Sequence, residues 1–280
     1  MSGSAPRTNA NGPAPRPGVL DISTYVPGAS VAPGPCSFKL SSNESPLGPS
    51  PMAIEASRRA SESLELYPDG AAAELRRRLG AVNAIAPERI VCGAGSDELL
   101  KLLCYAYLRD GDEAVMARHS FLSYLICTQA AGARAVIAEE NDFTIDLDHA
   151  RTCLSPRTKM VFIANPNNPT GTCVPSADIA AFHRELPPHV LLVLDEAYAE
   201  YVERPDYVSG LGLAGSAPNV VVLRTFSKAF GLAGLRLGFG IAANVDLIRP
   251  LMNLKPTWNL GATATVTLYS RVAPLAATTV

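Results

Sequence analysis

The amino-acid sequence predicts an α/β protein of three layers, αβα, around a mostly parallel sheet. Short apolar runs without polar alternation recur along the chain, which is typical of strands covered on both faces. Helical stretches separate these runs, as in sheets whose parallel strands are joined by crossover helices. With 280 residues, 48% of them hydrophobic, the chain can bury a core large enough for such a layered domain.

The N-terminal region shows three patterns before the strands begin. The first residues, "MSGSAPRTNANGPAPRPG", are rich in Pro, Gly, Asn and Ser, so residues 1–35 are expected to form a disordered arm. "SSNESPLGPSP" predicts a turn-rich loop, and "MAIEASRRASESLELY" has the apolar periodicity of a helix. The triplet Asn43-Glu44-Ser45 has the form of a glycosylation sequon, which we interpret as a chance match.

Strands and helices alternate in the rest of the chain. "RIVCGAGSDELLKLLCYAYL" predicts a strand, a Gly-x-Gly turn and a helix that Ser96 or Asp97 can cap. Further strands are predicted in "EAVMA", "RAVIAE", "KMVFIAN", "VLLVLDEAY" and "NVVVLRTFS", and helices in "SYLICTQAAG" and "SADIAAFHREL". Parallel sheets bind ligands beyond the carboxyl ends of their strands, so polar residues that follow strands are the candidates for a site.

Composition excludes several classes of function. Charges of both signs are interspersed and the formal net charge is −2, which disfavours a nucleic-acid or membrane-surface partner. The N-terminal residues lack the apolar stretch of a signal peptide or membrane span, so we expect a cytoplasmic protein. The six cysteines, at positions 36, 92, 104, 127, 153 and 173, have neither zinc-site spacing nor disulfide density. They are expected to be reduced thiols, without a metal site.

Two strand ends place reactive side chains at the predicted ligand edge. Lys228 follows "NVVVLRTFS"; an amine shielded from water and near cations can attack a carbonyl carbon, although a surface lysine is the alternative. Asp195 ends the most apolar strand, so its carboxylate should need a partner such as a protonated ring nitrogen; a helix N-cap is the alternative. Tyr198 can reach the same ligand through a turn, or can simply pack in the core.

Two further strand ends have residues suited to binding a ligand, one as a hydrogen-bond donor and the other as an anion site. In "NPNNPTG", residues 165–171, a stiff loop would fix Asn168 as a donor to a phenolate-type oxygen, unless the segment is a plain turn. Gly95-Ser96-Asp97 opens a helix whose free N–H groups suit a phosphate, to which Ser227 and Arg236 could add donors. "GAGSDE" lacks the third glycine of a dinucleotide fingerprint, which disfavours a nucleotide-binding Rossmann enzyme.

Six segments together resemble a known family. They are "NESPLG", "YPDG", "GAGSDELL", "ANPNNPTG", "LDEAYAEY" and "RTFSKAFGLAGLRLGF". Their order and spacing, from about residue 36 to 260, resemble the fold-type I aminotransferases that use pyridoxal 5'-phosphate, and within them the histidinol-phosphate aminotransferase group. The resemblance implies a homodimer that transfers an amino group between small molecules.

The resemblance also implies roles for individual residues. Lys228 matches the lysine that binds the cofactor covalently and moves the proton, and Asp195 matches the acid that keeps the ring nitrogen protonated. Asn168 and Tyr198 match the donors to the phenolic oxygen, so the catalytic residues are expected to be Lys228, Asp195 and Tyr198. Phe121 falls where the family stacks an aromatic ring, usually a tyrosine, on the cofactor.

The phosphate of the cofactor is expected to have its own binding set. By resemblance this set consists of Ser96, Asp97, Ser227 and Arg236. Tyr67 is expected to reach the phosphate in the neighbouring subunit of the dimer. The family's domain plan implies a small-domain start and linker at 36–62, a cofactor-binding large domain at 63–255 and a tail at 256–280.

The implied reaction is transamination between glutamate and imidazole-acetol phosphate in histidine biosynthesis. The alternatives are an aromatic aminotransferase, a decarboxylase of a phosphorylated amino acid, and an inactive cofactor-binding remnant. Family members continue beyond residue 280 and supply an arginine for the substrate, and neither Arg249 nor Arg271 matches it. We therefore expect a truncated or aberrant tail, an incomplete small domain, and cofactor binding with weak or no transamination.

Overall fold

A computed structural model describes residues 18–26 and 39–269 of the chain. Its main feature is a seven-stranded sheet with the order β1-β9-β8-β7-β6-β2-β3, and β4 and β5 form a separate short hairpin. The strands are β1 Ile90–Gly93, β2 Glu113–Ala117, β3 Arg134–Ala138, β4 Glu140–Asn141, β5 Thr144–Ile145, β6 Thr158–Ala164, β7 Leu191–Asp195, β8 Val220–Thr225 and β9 Gly238–Ala242.

The strands of the large sheet run in one direction, with β9 as the exception among those described. β3, β2, β6, β7 and β8 pair in parallel, and β9 is antiparallel to both β8 and β1. The mostly parallel sheet is therefore confirmed. The strand β9 was not predicted from the sequence, because its two glycines lower its intrinsic preference for a strand. Gly238 is required there because a Cβ at this position would lie 2.4 Å from the backbone nitrogen of Ser96.

Helices cover both faces of the sheet, as the three-layer prediction requires. They are α1 Pro51–Ala60, α2 Ala73–Asn83, α3 Ser96–Tyr107, α4 Ser123–Ala130, α5 Leu147–Thr152, α6 Ser176–Glu185, α7 Leu211–Ser216, α8 Val245–Leu254 and α9 Ala262–Tyr269. Alternate residues of each central strand point to opposite faces. On β7, Val193 packs with α3, α4 and α8, whereas Leu192 and Leu194 pack with α5, α6 and α7.

A third apolar cluster lies beside the β1 edge of the sheet. It joins α1, α2 and α9 to β1 and β9 through buried residues such as Ala53, Leu75, Ile241 and Ala264. The segment after residue 255 thus includes a helix that packs on the rest of the described chain. The division into arm, small domain, large domain and tail stays a prediction, and residues 1–17, 27–38 and 270–280, with Cys36 and Arg271, lie outside the described residues.

Two predicted helix boundaries differ from the structure. The helix expected in residues 52–67 begins at Pro51, where the Ser50 hydroxyl accepts a hydrogen bond from the Ala53 N–H group, and ends at Ala60. The cap expected from Ser96 or Asp97 is wrong, because Gly95 is the N-cap of α3 and forms no side-chain cap. Gly95 adopts φ of +80°, which a residue without a Cβ tolerates best.

Three further features concern the described residues alone. No helix there is long and apolar enough to span a membrane, and no group of acidic, histidine and cysteine side chains there has the arrangement of a metal site. The cysteines of this part of the chain, at positions 92, 104, 127, 153 and 173, are free thiols.

A buried ionic cluster closes the edge of the sheet opposite the predicted ligand edge. Glu113, the first residue of β2, is buried, and its carboxylate accepts hydrogen bonds from Arg134 at 2.7 Å, Arg157 at 2.6 Å and the Ser155 hydroxyl at 2.6 Å. These donors, Ser155 first, lower the pKa of Glu113 to about 2. The cluster ties β2 to β3 and to the start of β6.

Glu113→Gln should lower the free energy of unfolding by about 2 kcal/mol at neutral pH, because hydrogen bonds to a charged partner are lost. The contribution of Glu113 is fully present above its ordinary pKa of 4.5 and is lost as the pH falls toward 2. Urea unfolding across this range measures the effect, and the native protein and variant should converge in stability at low pH. A difference that stays constant would contradict the assignment.

Candidate active site

The carboxyl ends of β1, β2, β6, β7 and β8 lie at one edge of the sheet and border a cleft of about 240 Å³. The antiparallel β9 begins at this edge, which brings Arg236 there as well. The cleft is lined by every predicted site residue except Tyr67, namely Ser96, Asp97, Phe121, Asn168, Asp195, Tyr198, Ser227, Lys228 and Arg236. Sequence positions separated by up to 140 residues thus meet in one cleft.

Asp195 is the most deeply buried acid of the cleft, with 5% of its surface exposed. The Tyr124 hydroxyl donates a hydrogen bond to its Oδ2 atom at 2.8 Å, and the Ala197 N–H group donates to Oδ1 at 3.2 Å. Burial nevertheless raises the pKa of Asp195 to about 6. Among the described residues, no cationic side chain forms an ion pair with Asp195, so a positively charged ligand group would gain from contact with it.

Tyr124 is a site residue that was not predicted from the sequence. Its side chain is fully buried and stacks on Phe162 with 4.8 Å between ring centroids, and Phe121 meets it edge to face at 5.9 Å. This aromatic packing fixes the hydroxyl that bonds Asp195. No local pattern marks Tyr124, because the acid that it contacts lies 71 positions further along the chain.

Lys228 lies in the loop after β8 with its amine inside the cleft. The Nζ atom donates a hydrogen bond to the Ser42 carbonyl at 2.9 Å. Burial, and next the positive charge of Arg236, lower the pKa of Lys228 from its ordinary value. A lowered pKa leaves more of the amine unprotonated and able to act as a nucleophile or base.

The segment from Lys39 to Gly48 crosses the cleft and contacts two predicted catalytic residues. Besides the Ser42 carbonyl at Lys228, the Asn43 Nδ2 atom donates to the Tyr198 hydroxyl at 2.9 Å. Burial raises the pKa of Tyr198, and the hydrogen bond from Asn43 opposes that rise. A role in the cleft was not predicted for Ser42 or Asn43, because nothing local in "SSNESP" shows that this loop meets residues 198 and 228.

An anion cradle forms where α3 begins. The first N–H groups of an α-helix lack partners within the helix, and Ser96 and Asp97 occupy these positions. The Asp97 carboxylate does not oppose an anion with a free charge, because it accepts a hydrogen bond from Ser123 at 2.6 Å and pairs with Lys101 at 3.1 Å. The helix start is therefore suited to a phosphate.

Arg236 and Ser227 complete this cradle from the other side. The Arg236 guanidinium lies 3.4 Å from the Ser227 hydroxyl, which is also 3.0 Å from the Thr225 hydroxyl. A Cβ on Gly95 would lie 2.4 Å from the Arg236 Nη2 atom, so the absence of a side chain there lets the guanidinium approach α3.

The remaining predicted residues divide into two groups. Phe121 and Asn168 line the cleft, and the loop that carries Asn168 is held by Asn167, whose Nδ2 atom donates to the His119 carbonyl at 2.7 Å. Tyr67 lies outside the cleft, is 76% exposed and stacks on Trp258 with 4.2 Å between ring centroids. Its expected role concerns a second subunit and stays a prediction.

Comparison with models of known protein families identifies the family of this chain. The model described as aminotransferase class I and II matches residues 37–278. The chain belongs to this family. The predicted family is thereby confirmed, and members of the family act on small molecules.

Curated relatives narrow the resemblance within the family. Two proteins named histidinol-phosphate aminotransferase, from Nitrobacter hamburgensis and Rhodopseudomonas palustris, are 52% identical over 240 residues and 50% identical over 261 residues. The alignments cover 84% and 91% of this chain and 66% and 72% of the relatives. The chain therefore spans about two thirds of the length of these proteins.

Solved structures support the same fold. A histidinol-phosphate aminotransferase from Sinorhizobium meliloti, in complex with pyridoxal-5'-phosphate, matches with a TM-score of 0.79 and 28% identity over 83% of this chain and 63% of that chain. A Thermus thermophilus aspartate aminotransferase variant matches with a TM-score of 0.76 and 25% identity over 84% and 68%. The two proteins have different names but nearly equal TM-scores. The fold by itself therefore does not identify the substrate.

Asp195→Asn should stabilise the protein without ligand above neutral pH by up to about 3 kcal/mol, because raising a pKa from 3.8 to about 6 disfavours the charged form by that amount. The stability contributed by Asp195 is present below 3.8 and is lost as the pH rises through about 6. Urea unfolding at a series of pH values measures this gain. Asp97→Asn is the matched control and should show no gain, since Asp97 has cationic and hydroxyl partners; a destabilised Asp195→Asn would contradict the prediction.

Gly95→Ala should weaken binding of inorganic phosphate at the α3 cradle roughly tenfold, because the new Cβ displaces the Arg236 guanidinium and removes a charge-assisted hydrogen bond. The rise in Tm with phosphate concentration measures this binding. Gly111→Ala is the matched control, because Gly111 also has a positive φ but has nothing within 4 Å of the added Cβ. Equal phosphate responses in the two variants would contradict a cradle at Gly95.

Proposed function

We propose that the chain is a pyridoxal-phosphate-dependent aminotransferase that interconverts histidinol phosphate and imidazole-acetol phosphate, with glutamate and 2-oxoglutarate as the amino donor and acceptor pair. One observation carries the proposal: the half-buried amine of Lys228, with its lowered pKa, and the acid of Asp195, which has no ion pair among the described residues, line the same cleft as the anion cradle at α3. The names of the relatives at 50–52% identity support the choice of substrate.

The residues of the cleft fit this cofactor group by group. Ser96, Asp97, Ser227 and Arg236 would hold its phosphate, and Phe121 would pack on a face of the ring. Asp195 would balance a positive charge on the ring nitrogen, which is the partner that its buried carboxylate lacks. Asn168 and Tyr198 would donate hydrogen bonds to the phenolic oxygen.

When bound, pyridoxal phosphate supplies an aldehyde that accepts amino groups and a ring that delocalises negative charge from the substrate. The protein's contribution is to bind, orient and move protons. Lys228 would hold the cofactor between turnovers and then carry a proton at its Nζ atom, a task favoured by its lowered pKa. The Tyr198 hydroxyl, which accepts a hydrogen bond from Asn43, would direct its own proton toward the phenolic oxygen.

We also propose that two copies of the chain associate, in the cytoplasm, with Tyr67 reaching the phosphate site of the partner. Tyr67 and Trp258 form an exposed aromatic pair, and Leu64 and Leu66 are exposed beside Tyr67 in the sequence. Apolar side chains exposed together are typical of an interface. Sedimentation of the native protein and of a Tyr67→Ser variant would measure the association.

Incubation with pyridoxal phosphate followed by borohydride should attach the cofactor to Lys228, because reduction traps an amine that has reacted with the aldehyde. Mass spectrometry of the peptides locates the label, so the readout does not depend on turnover. Lys228→Arg should lose the label, and Lys159→Arg, a lysine change on β6 away from the cleft, should keep it. A label at another lysine, or none at all, would refute the cofactor site.

Spectra with single substrates then distinguish the possible reactions. A change in the bound chromophore with histidinol phosphate and with glutamate supports the proposed reaction. A response to an aromatic amino acid, or release of carbon dioxide from a phosphorylated amino acid, would favour the alternatives on the same fold. A labelled Lys228 without any spectral response would identify an inactive cofactor-binding protein.

A further inference from the structure

We propose that Arg224 is a positioning residue for Tyr198, because its guanidinium bridges Glu196 and Glu200, which stand on either side of Tyr198 in the chain. The proposal rests on the proposed function, in which Tyr198 donates a hydrogen bond to the cofactor. Arg224 itself does not line the cleft. It acts from the other side of the sheet.

The two ion pairs of Arg224 are largely shielded from water, and of the two the pair with Glu200 is also a hydrogen bond. Its Nε atom lies 3.3 Å from the Glu196 Oε2 atom, and its Nη1 atom donates to the Glu200 Oε1 atom at 2.9 Å. The exposed fractions of the side chains are 14% for Arg224, 3% for Glu196 and 29% for Glu200. Shielding strengthens both attractions relative to those of surface ion pairs.

Sheet geometry places this cluster directly behind the cleft. Glu196 follows Asp195 at the end of β7, and Arg224 is the second-last residue of β8. Neighbouring residues of a strand point to opposite faces, so Asp195 faces the cleft while Glu196 faces the layer of α5, α6 and α7. The N–H group of Glu196 donates to the Leu223 carbonyl at 2.9 Å, which joins the two strand ends.

The bridged segment is the turn that presents Tyr198. Residues 196–201 form tight turns in which the Ala199 N–H group donates to the Glu196 carbonyl at 3.2 Å and the Tyr201 N–H group donates to the Tyr198 carbonyl at 3.1 Å. Glu196 is held further by the Ser209 hydroxyl at 2.7 Å and by the Gly210 N–H group. Arg224 thus ties the free end of the turn, at Glu200, to a fixed anchor at Glu196.

Without the bridge, nothing else among the contacts of the described residues joins the Glu200 carboxylate to β8. A guanidinium suits two carboxylates at once because its planar fork directs several N–H groups, whereas a lysine ammonium is a single point charge. The Tyr198 hydroxyl would keep its hydrogen bond from Asn43, but the turn that carries Tyr198 would lose its tie to β8, and the hydroxyl would be directed less firmly. The cofactor's oxygen would receive a weaker hydrogen bond.

The first test uses the protein without cofactor and the variants Glu200→Gln and Arg224→Lys. Hydrogen exchange measured by mass spectrometry should rise in the peptide that contains residues 196–201. Glu113→Gln, which breaks a buried ionic cluster at the opposite edge of the sheet, is the matched control and should raise exchange near β2 instead. Glu200 is partly exposed, so its variant tests the proposal even if Arg224→Lys does not fold.

The second test uses the same variants loaded with pyridoxal phosphate, and measures the pH midpoint at which the absorbance of the bound cofactor changes. Tyr198→Phe should raise this midpoint by about one pH unit, because a hydrogen bond to the charged oxygen is lost. Glu200→Gln and Arg224→Lys should raise it by a smaller amount, and Glu113→Gln should not move it. In the double variant that combines Glu200→Gln with Tyr198→Phe, the midpoint should equal that of Tyr198→Phe alone.

The outcomes separate this inference from the function on which it rests. If the native protein takes up no pyridoxal phosphate, the proposed function fails, and unchanged exchange in residues 196–201 of the variants would independently refute the role of Arg224. If Tyr198→Phe moves the midpoint while the Arg224 and Glu200 variants leave it at the native value, Arg224 contributes only to stability and the inference is overturned.

Discussion

The burial of the Asp195 carboxylate is the constraint on which the arrangement of the site depends. The residue ends β7, the strand at the centre of the sheet, and among the described residues its hydrogen-bond donors are neutral, namely Tyr124 and the Ala197 backbone. Such donors lower the energy of a buried anion but do not neutralise it, and the pKa of Asp195 stays raised to about 6. In the described part of the chain, the fold therefore holds a buried acid without a cationic partner, which a positively charged ligand group would supply.

The geometry of the sheet then decides which other groups meet this acid. Parallel strands deliver their carboxyl ends to one edge, and the reversed direction of β9 adds Arg236 to the same edge although it precedes its strand. These groups can approach one another closely because two positions are glycines without side chains. Gly95 leaves room for the guanidinium of Arg236, and Gly238 leaves room for the start of α3. The two glycines do not contact a ligand through side chains, yet they determine where an anion can be bound.

Local sequence predicted most of the cleft because the relevant residues lie directly at strand ends. A residue such as Asp195 or Lys228 is recognisable from the apolar run that precedes it. Tyr124 and Asn43 were missed for the opposite reason, since their importance lies in contacts with residues 71 and 155 positions away, which no local pattern reports. The strand β9 was missed because glycine has a low strand propensity, and its glycines are needed instead for close packing against neighbouring elements.

Asp195 and Glu196 show how two neighbouring buried acids can have different purposes. Glu196 points away from the cleft and obtains a cation from its own chain, Arg224, together with the Ser209 hydroxyl. Asp195 points into the cleft and obtains no cation from the described residues, and the negative charge of Glu196 raises its pKa further. An acidic residue with a structural role stabilises the fold through a permanent cationic partner. An acidic residue that binds a ligand has to lack such a partner, so that the ligand can supply the positive charge. The alternation of side chains along one strand lets β7 supply both at consecutive positions.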